Sequence, residues 1–166
     1  MQSIFFLAAN HFFSYFSAFF IAMLPFIETK GAIPIGMGLG LSPLTSFCFS
    51  FLGSLVPVPF LLNLMTPLIE YINKNPKWEN LSKKINNYIY KNTIKIKANL
   101  GANKPIKTFA VFMFVALPVP GTGVWSGSII ASALNLKKTH SFIAIALGNL
   151  FASSLIFLAT FGFFVT

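Results

Sequence analysis

The sequence predicts an all-α integral membrane protein, built as an inverted repeat of a re-entrant helical hairpin plus a transmembrane helix. An N-terminal transmembrane helix and a central amphipathic interfacial helix complete the expected fold. Three observations predict it. Of 166 residues, 55% are apolar and only 9% charged, too few polar groups to clothe a soluble domain of this size. The apolar residues gather at 3–23, 44–69, 108–136 and 139–165, runs near the ~20 helical residues that cross about 30 Å of hydrocarbon. The chain also resembles itself at a shift of about 95 residues, the mark of an internal repeat. No run alternates apolar and polar residues with period two, which argues against a lipid-facing β-barrel.

The first run lacks a basic start and an A-x-A cleavage site, and His11 interrupts it, so it reads as a retained helix rather than a secretion signal. Next comes "LPFIETKGAIPIGMGLGLSP", which puts Glu28 and Lys30 inside apolar sequence. A continuous helix here would carry Pro34, Gly31, Gly36, Gly38 and Gly40 internally, at about 3 kcal/mol for a proline and about 1 for each glycine. A broken segment is therefore expected, a first hairpin over 22–43 entering from the outer face. Ile33, preceding Pro34, is pushed toward extended geometry, where residues two apart share a side, so Glu28 and Lys30 would face one cavity. An unpaired charge at the bilayer centre costs about 2.5 to 3.5 kcal/mol on an insertion scale, which a facing pair or partial hydration would reduce. Glu28 suits a proton or cation relay, since removal from water favours the protonated form of a carboxylate. Lys30 suits an anionic headgroup or phosphate, held as a point charge.

Residues 44–69 follow as a span, and then comes a polar interlude holding nine of the twelve lysines, from Lys74 to Lys107, opposed by Glu79 alone. Short lysine-rich loops mark the cytoplasmic side and attract anionic headgroups, and this reading is preferred to nucleic-acid binding. Within the interlude Trp78, Leu81, Ile85, Tyr88 and Ile89 recur at helical spacing with Lys83, Lys84 and Lys91 between them, as in a helix lying in the interface plane.

Lys137 and Lys138 should also be cytoplasmic, yet they close an apolar run that starts on that side near Lys107. That run must enter and return, as a second hairpin over 108–138 turning at "LPVPGTGVWSG". Irregular backbone at membrane depth is tolerated only inside protein or beside a water-filled cavity. Gly121, Thr122 and Gly123 could present backbone N–H groups at the start of the returning half-helix, which favours an anion; Trp125 is a candidate cavity wall.

The repeat pairs Leu24-Pro25 with Leu117-Pro118, Leu39 and Leu41 with Leu134 and Leu136, Ser46-Phe47 with Ser141-Phe142, and Leu52-Gly53 with Leu147-Gly148. Two such units of opposite orientation are a transporter architecture, with the site near the midplane where broken helices meet. The whole chain, 1–166, then forms one membrane domain: a first half over 1–70, the lysine-rich segment over 71–107 and a second half over 108–166. The N-terminus is expected in the cytoplasm and the C-terminus outside, across a prokaryotic inner membrane. The candidate substrate- or ion-binding set is Glu28, Lys30, Gly31 and Pro34 at the first tip with Pro118, Pro120, Gly121, Thr122, Gly123 and Trp125 at the second.

Gly36 to Gly40 and Gly123 to Gly127 both have the G-x-x-x-G spacing of close helix approach. Asn63, Asn149 and His140 are expected to find partners on neighbouring helices, and His11 and Cys48 to be structural. With no aspartate, two distant histidines and one cysteine, the chain offers no triad, dyad or metal set, and an enzyme is not expected. "GTGVWSG" is not G-x-G-x-x-G and has no βαβ context, so a nucleotide fold is rejected.

"ETKGAIPIG" (residues 28–36) and "LPVPGTGVWSG" (residues 117–127) resemble the signature segments of the small multidrug export proteins, a prokaryotic membrane family of about this length. That family is in turn similar to the DedA and VTT-domain proteins, whose inverted re-entrant hairpins are linked to moving lipids, including polyprenyl phosphate carriers. The resemblance implies a site formed by Glu28 and Lys30 at one tip and the Pro-Gly turn at the other; unlike DedA proteins, this chain has no arginine at either tip. The expected function is transport of a lipid-linked or amphipathic anion, coupled to protons. The alternatives are export of hydrophobic drugs, or a non-transporting membrane scaffold. Membrane lipids are the expected partners, with anionic headgroups along the lysine-rich segment and a second copy in a homodimer; neither nucleic acid nor a cofactor is expected.

Overall fold

A computed structural model of the chain describes the backbone of residues 2–100 and 104–165, and the side chains of 12–87, 90–91 and 105–163. Among these residues the fold is all-helical: α1 (Gln2–Met23), α2 (Glu28–Gly38), α3 (Pro43–Leu55), α4 (Pro57–Lys74), α5 (Glu79–Leu100), α6 (Lys104–Ala116), α7 (Val124–Ala133) and α8 (Lys138–Val165). Two stretches are long and apolar enough to cross a membrane: α3 with α4, over the 32 residues Pro43–Lys74, and the 26 residues Lys138–Phe163 of α8. The expected span over 44–69 is thus longer, and it is interrupted where Pro57 opens α4 and the Val56 N–H turns back to Gly53.

Small residues share the interior with branched aliphatic ones such as Val58, Val111, Ile130 and Ile145, while many large apolar side chains face outward. Ala18, Ala22, Ala32, Ser46, Ser50, Ser54, Ser128, Ser141 and Ser153 are buried, whereas Leu44 is 66% and Phe60 72% exposed. In lipid there is no hydrophobic force between helices, so small residues that admit close packing take the interior and large apolar ones meet the acyl chains. Ser46, Ser50 and Ser54 recur at four-residue spacing on α3, and Ser141, Asn149 and Ser153 lie along one face of α8. Between them runs a buried relay: Thr29 Oγ1 donates to Asn149 Oδ1 at 3.2 Å, and the Asn149 amide donates to Ser54 Oγ at 2.8 Å. This relay fixes α2 against α3 and α8.

Glycines set the helix crossings. A Cβ on Gly53 of α3 would run into the Phe19 carbonyl of α1, and one on Gly148 of α8 would lie 2.6 Å from the Phe112 carbonyl of α6. The ends of α2 and α7 are also alike. Leu41 N–H reaches the Gly36 carbonyl (3.1 Å) and Leu136 N–H the Ala131 carbonyl (3.2 Å), around left-handed Gly40 (φ 85°) and Asn135 (φ 51°). This pattern closes a helix by satisfying its last carbonyls. Gly40 is therefore a helix stop, while Gly36 packs on Ser46 of α3.

Four sequence expectations change. First, α2 runs unbroken through Ile33 and Pro34, so Glu28 and Lys30 lie on a helix and not on an extended strand. The local cost of Pro34 and the glycines is offset by packing: Ile33 and Ala32 are fully buried, Ser46 Oγ donates to the Ile33 carbonyl at 2.7 Å, and Gly36 admits α3. Second, residues 22–43 hold one helix rather than two limbs; the other limb is α1, and the reversal falls at residues 24–27. Ser14 Oγ donates to the Leu39 carbonyl at 3.0 Å, so α1 lies antiparallel beside α2. Third, Cys48 is exposed on α3 rather than packed inside. Fourth, α5 is docked as well as amphipathic: Ser82 and Asn86 both donate to Asn73 Oδ1, at 2.6 and 3.1 Å, and Ile85 faces Met65, Leu68 and Ile72 of α4. Trp78 and Leu81 are exposed; the side chains of Tyr88, Ile89 and His11 lie outside the described residues.

Gly53→Ala and Gly148→Ala should each lower thermal stability in detergent by about 1 to 3 kcal/mol, because backbone cannot yield as a side chain does. Gly38→Ala, where a Cβ meets nothing within 4 Å, should be neutral or stabilising. Melting curves of the three purified variants check this.

Candidate functional site

The reversal at residues 24–27 is sharp, and two of the residues that make it are left-handed without being glycine: Phe26 at φ 74° and Glu28 at φ 48°. Such conformations cost of order 1–3 kcal/mol each and persist only where the surroundings impose them. Across from this turn, residues 117–123 form the expected non-helical segment between α6 and α7. Thr122 Oγ1 is within hydrogen-bonding distance of the Leu117 and Val119 carbonyls (2.7 and 2.8 Å), Ser126 Oγ donates to the Gly121 carbonyl at 2.7 Å, and Gly121 takes φ 86°.

Glu28 is only 5% exposed. Its Oε1 accepts the Trp125 N–H at 3.3 Å, and the Val124 N–H is also directed at the carboxylate. These are the first two amides of α7, whose N-cap, Gly123, supplies no side-chain cap. The carboxylate of α2 thus caps α7, in the place where a helix attracts an anion. Gly123 makes this approach possible, since a Cβ there would overlap the Glu28 carboxylate. Lys30 reaches the same segment from two residues further along α2. Its Nζ donates to the Val119 carbonyl at 2.6 Å, to the Thr122 carbonyl and to Thr122 Oγ1 at 3.3 Å. Trp125 closes the arrangement by donating Nε1–H to the Met23 carbonyl at 3.2 Å, at the end of α1.

The expected charged tip and Pro-Gly turn are therefore brought together, but not as an ion pair: no contact within 4 Å joins Glu28 to Lys30, and each is bound to backbone across the gap. Beside them opens a cavity of about 540 Å³ lined by Glu28, Lys30, Pro120, Gly121, Thr122 and Trp125, together with Pro25, Phe26, Phe114, Ser126 and Ile129. Gly31, Pro34, Pro118 and Gly123 do not line it. Gly31 faces Ile27 and Gly123 lies beneath the carboxylate, Pro34 is within α2, and Pro118 is an exposed residue of the turn. The amides that meet an anion are those of Val124 and Trp125, with Glu28 as that anion, rather than those of Gly121, Thr122 and Gly123 as expected; the Thr122 N–H turns back to the Val119 carbonyl at 3.2 Å. Sequence reasoning missed Phe26, 86% exposed at the rim, and Thr29, whose link to Asn149 and Ser54 anchors the Glu28 backbone; the four-residue spacing of the α3 serines was the available signal. Asn149 has the helix partners expected of it, and Asn63 Oδ1 accepts from Lys138 Nζ at 2.6 Å. No group of three metal-ligating side chains occurs among the described residues.

Apolar spanning helices, small polar residues inside and a charged cavity between two turns define a helical membrane protein with an internal polar site. The chain belongs to the family described as "Putative small multi-drug export protein", whose model matches residues 28–155; the match begins at Glu28 and takes in all of residues 117–123. Neither a curated protein nor a solved structure matches the chain.

Removing the cap should be costly and replacing it conservatively should not. Glu28→Ala leaves two buried amides of α7 without an acceptor, an expected loss of about 1–3 kcal/mol, whereas Glu28→Gln keeps an acceptor oxygen and should lose less than half as much. Thermal unfolding in detergent distinguishes them.

Proposed function

We propose that the chain is a transporter of an amphipathic anion, lipid-linked or phospholipid-like, whose site lies between two opposed re-entrant hairpins and is coupled to protons through Glu28. The observation that carries this reading is the placement of Glu28 and Lys30. Both charges are held by the opposite turn on the wall of an open cavity, so the contacts that satisfy them also join the two hairpins. An anionic headgroup competes with Glu28 for the α7 amides and offers Lys30 an alternative partner. A proton on Glu28 weakens its hold on those amides and favours the exchange.

Depth supports the re-entrant reading. Asn149, the partner of Thr29, stands eleven residues beyond Lys138, about 16 Å along a helix and so about half of a ~30 Å hydrocarbon core. Lys138 and Asn63 meet at one face, with the lysine-rich segment on that side in the cytoplasm; helices α2 and α7, of 11 and 10 residues, are half-length. The matching helix ends and glycine contacts at offsets of 93 to 95 residues support the inverted repeat. In this frame residues 39–42 and the end of α8 are outside. The part of α1 at Ser14 lies beside residues 39–42, so its N-terminal end goes to the outer face in place of the cytoplasmic start expected from sequence.

A second reading, export of a neutral hydrophobic compound, is favoured by the aromatic wall of Phe26, Phe114 and Trp125 and by the family's description. In proteoliposomes, Glu28→Gln should cut pH-driven movement of an isoprenyl phosphate or an anionic phospholipid at least about tenfold, and Lys30→Met should slow anions more than a neutral hydrophobic dye. A folded Glu28→Gln protein with full activity overturns the first reading; equal effects of Lys30→Met on anion and dye favour the second. Topology is checked separately by cysteines placed at Asn80 and Phe163 in a Cys48→Ala background. Impermeant reagent should reach position 163 from outside and position 80 only after the cytoplasmic face is opened.

A further inference from the structure

A second cavity, of about 680 Å³, lies outside the site described above, in a groove between the N-terminal halves of α6 and α8. Its walls follow helical spacing on both sides: Thr108, Phe109 and Phe112 on α6, and His140, Ile143 and Leu147 on α8. Position along one helix matches position along the other, and Gly148 then meets Phe112, so the two helices run parallel and their N-termini share one end. Lys137 and His140 stand at that end, both exposed, and neither side chain makes a hydrogen bond or an ion pair to a described residue. The end is therefore favourable to an anion, through the Lys137 ammonium and the positive end of the α8 dipole. Away from it the groove is apolar. The ten residues from Lys137 to Leu147 span about 15 Å, the depth of one leaflet of a ~30 Å core.

We propose that this groove holds an anionic phospholipid of the cytoplasmic leaflet, with its phosphate at Lys137 and His140 and one acyl chain lying between α6 and α8. The occupant is fixed by two complementarities on the same surface: a cationic mouth at the membrane face, and an apolar channel of leaflet depth open to lipid. A cationic or zwitterionic lipid lacks the net negative charge that the mouth selects. A soluble phosphate lacks the chain. The bound lipid braces α6, the limb that leads to residues 117–123, against α8, so it acts on the hairpin without entering the charged cavity. The site stands or falls independently of the transport reading, because it uses neither Glu28 nor Lys30.

The test is native mass spectrometry of the full chain in nonionic detergent, titrated with dioleoyl phosphatidylglycerol, dioleoyl phosphatidylcholine or inorganic phosphate. The expected result is retention of one phosphatidylglycerol about tenfold more tightly than phosphatidylcholine, and no retention of phosphate. Lys137→Gln with His140→Gln, both at the surface, should remove that preference. Lys74→Gln with Lys77→Gln should leave it, because those lysines attract lipid without a groove to hold the chain. Ile143→Trp, filling the groove at an exposed position, should reduce retention of both lipids. Equal retention of the two lipids, an equal loss in both lysine variants, retention of phosphate alone, or a dimer that Ile143→Trp dissociates while lipid retention is unchanged would each overturn the proposal.

Discussion

The contact on which the arrangement depends is the carboxylate of Glu28 against the first amides of α7. A helix start turned toward the protein interior exposes N–H groups that need an acceptor, and a carboxylate that is 5% exposed has lost most of its water. Each resolves the other's deficit, and neither can do so unless the two backbones come close, which a side chain at residue 123 would prevent. Lys30 repeats the exchange with opposite sign. Its ammonium serves carbonyls of residues 119 and 122 that no helix satisfies. The Trp125 indole, donating to Met23, ties the same turn to the end of α1. Three side-chain links thus join the two turns, each to a backbone group of the opposite segment.

This economy constrains movement. Because Glu28 and Lys30 are bound to opposite backbone rather than to each other, separating the turns exposes both charges and the groups they serve at once. The only replacements that keep every group satisfied are a proton or water for the carboxylate, an anion for the α7 amides and for Lys30, and water for the carbonyls. A cavity beside the contact supplies the space. Behind it, the Thr29, Asn149 and Ser54 relay is fully buried and gives α2 a fixed back wall, so any opening falls on the front of the site, where Phe26 and Ser126 lie.

The legibility of the sequence followed from where each rule is local. Residues 117–123 are non-helical as their prolines and glycines indicate, since nothing packs tightly enough to override them. The same rules misread residues 28–38, because there the glycines serve contact: Gly36 admits Ser46, and burial of Ile33 outweighs the proline beside it. Glu28 and Lys30 do share a cavity, but for a different reason than the expected strand. Two residues apart on a regular helix they would point about 200° apart; the left-handed Glu28 at the very start of α2 turns its side chain off that pattern. Such a backbone state is set by the tertiary reversal and leaves no mark in composition. The limb role of α1 was hidden likewise, since a retained span and a hairpin limb are both simply apolar.

The uneven chemistry of the two turns then has a physical reason. Under the proposed repeat both halves share helix ends, glycine contacts and half-length helices, yet the charges stand on the first turn alone and the second is Pro, Gly and Thr. Two charged turns meeting at membrane depth would place like charges together or leave each searching for a counter-charge that must also be desolvated. A charged turn facing a turn of open backbone avoids this: one side provides an anion and a cation, and the other provides helix amides and free carbonyls as their partners. Complementarity between side-chain charge and backbone dipole, rather than between two ions, lets a duplicated hairpin become a site while both copies keep the same fold.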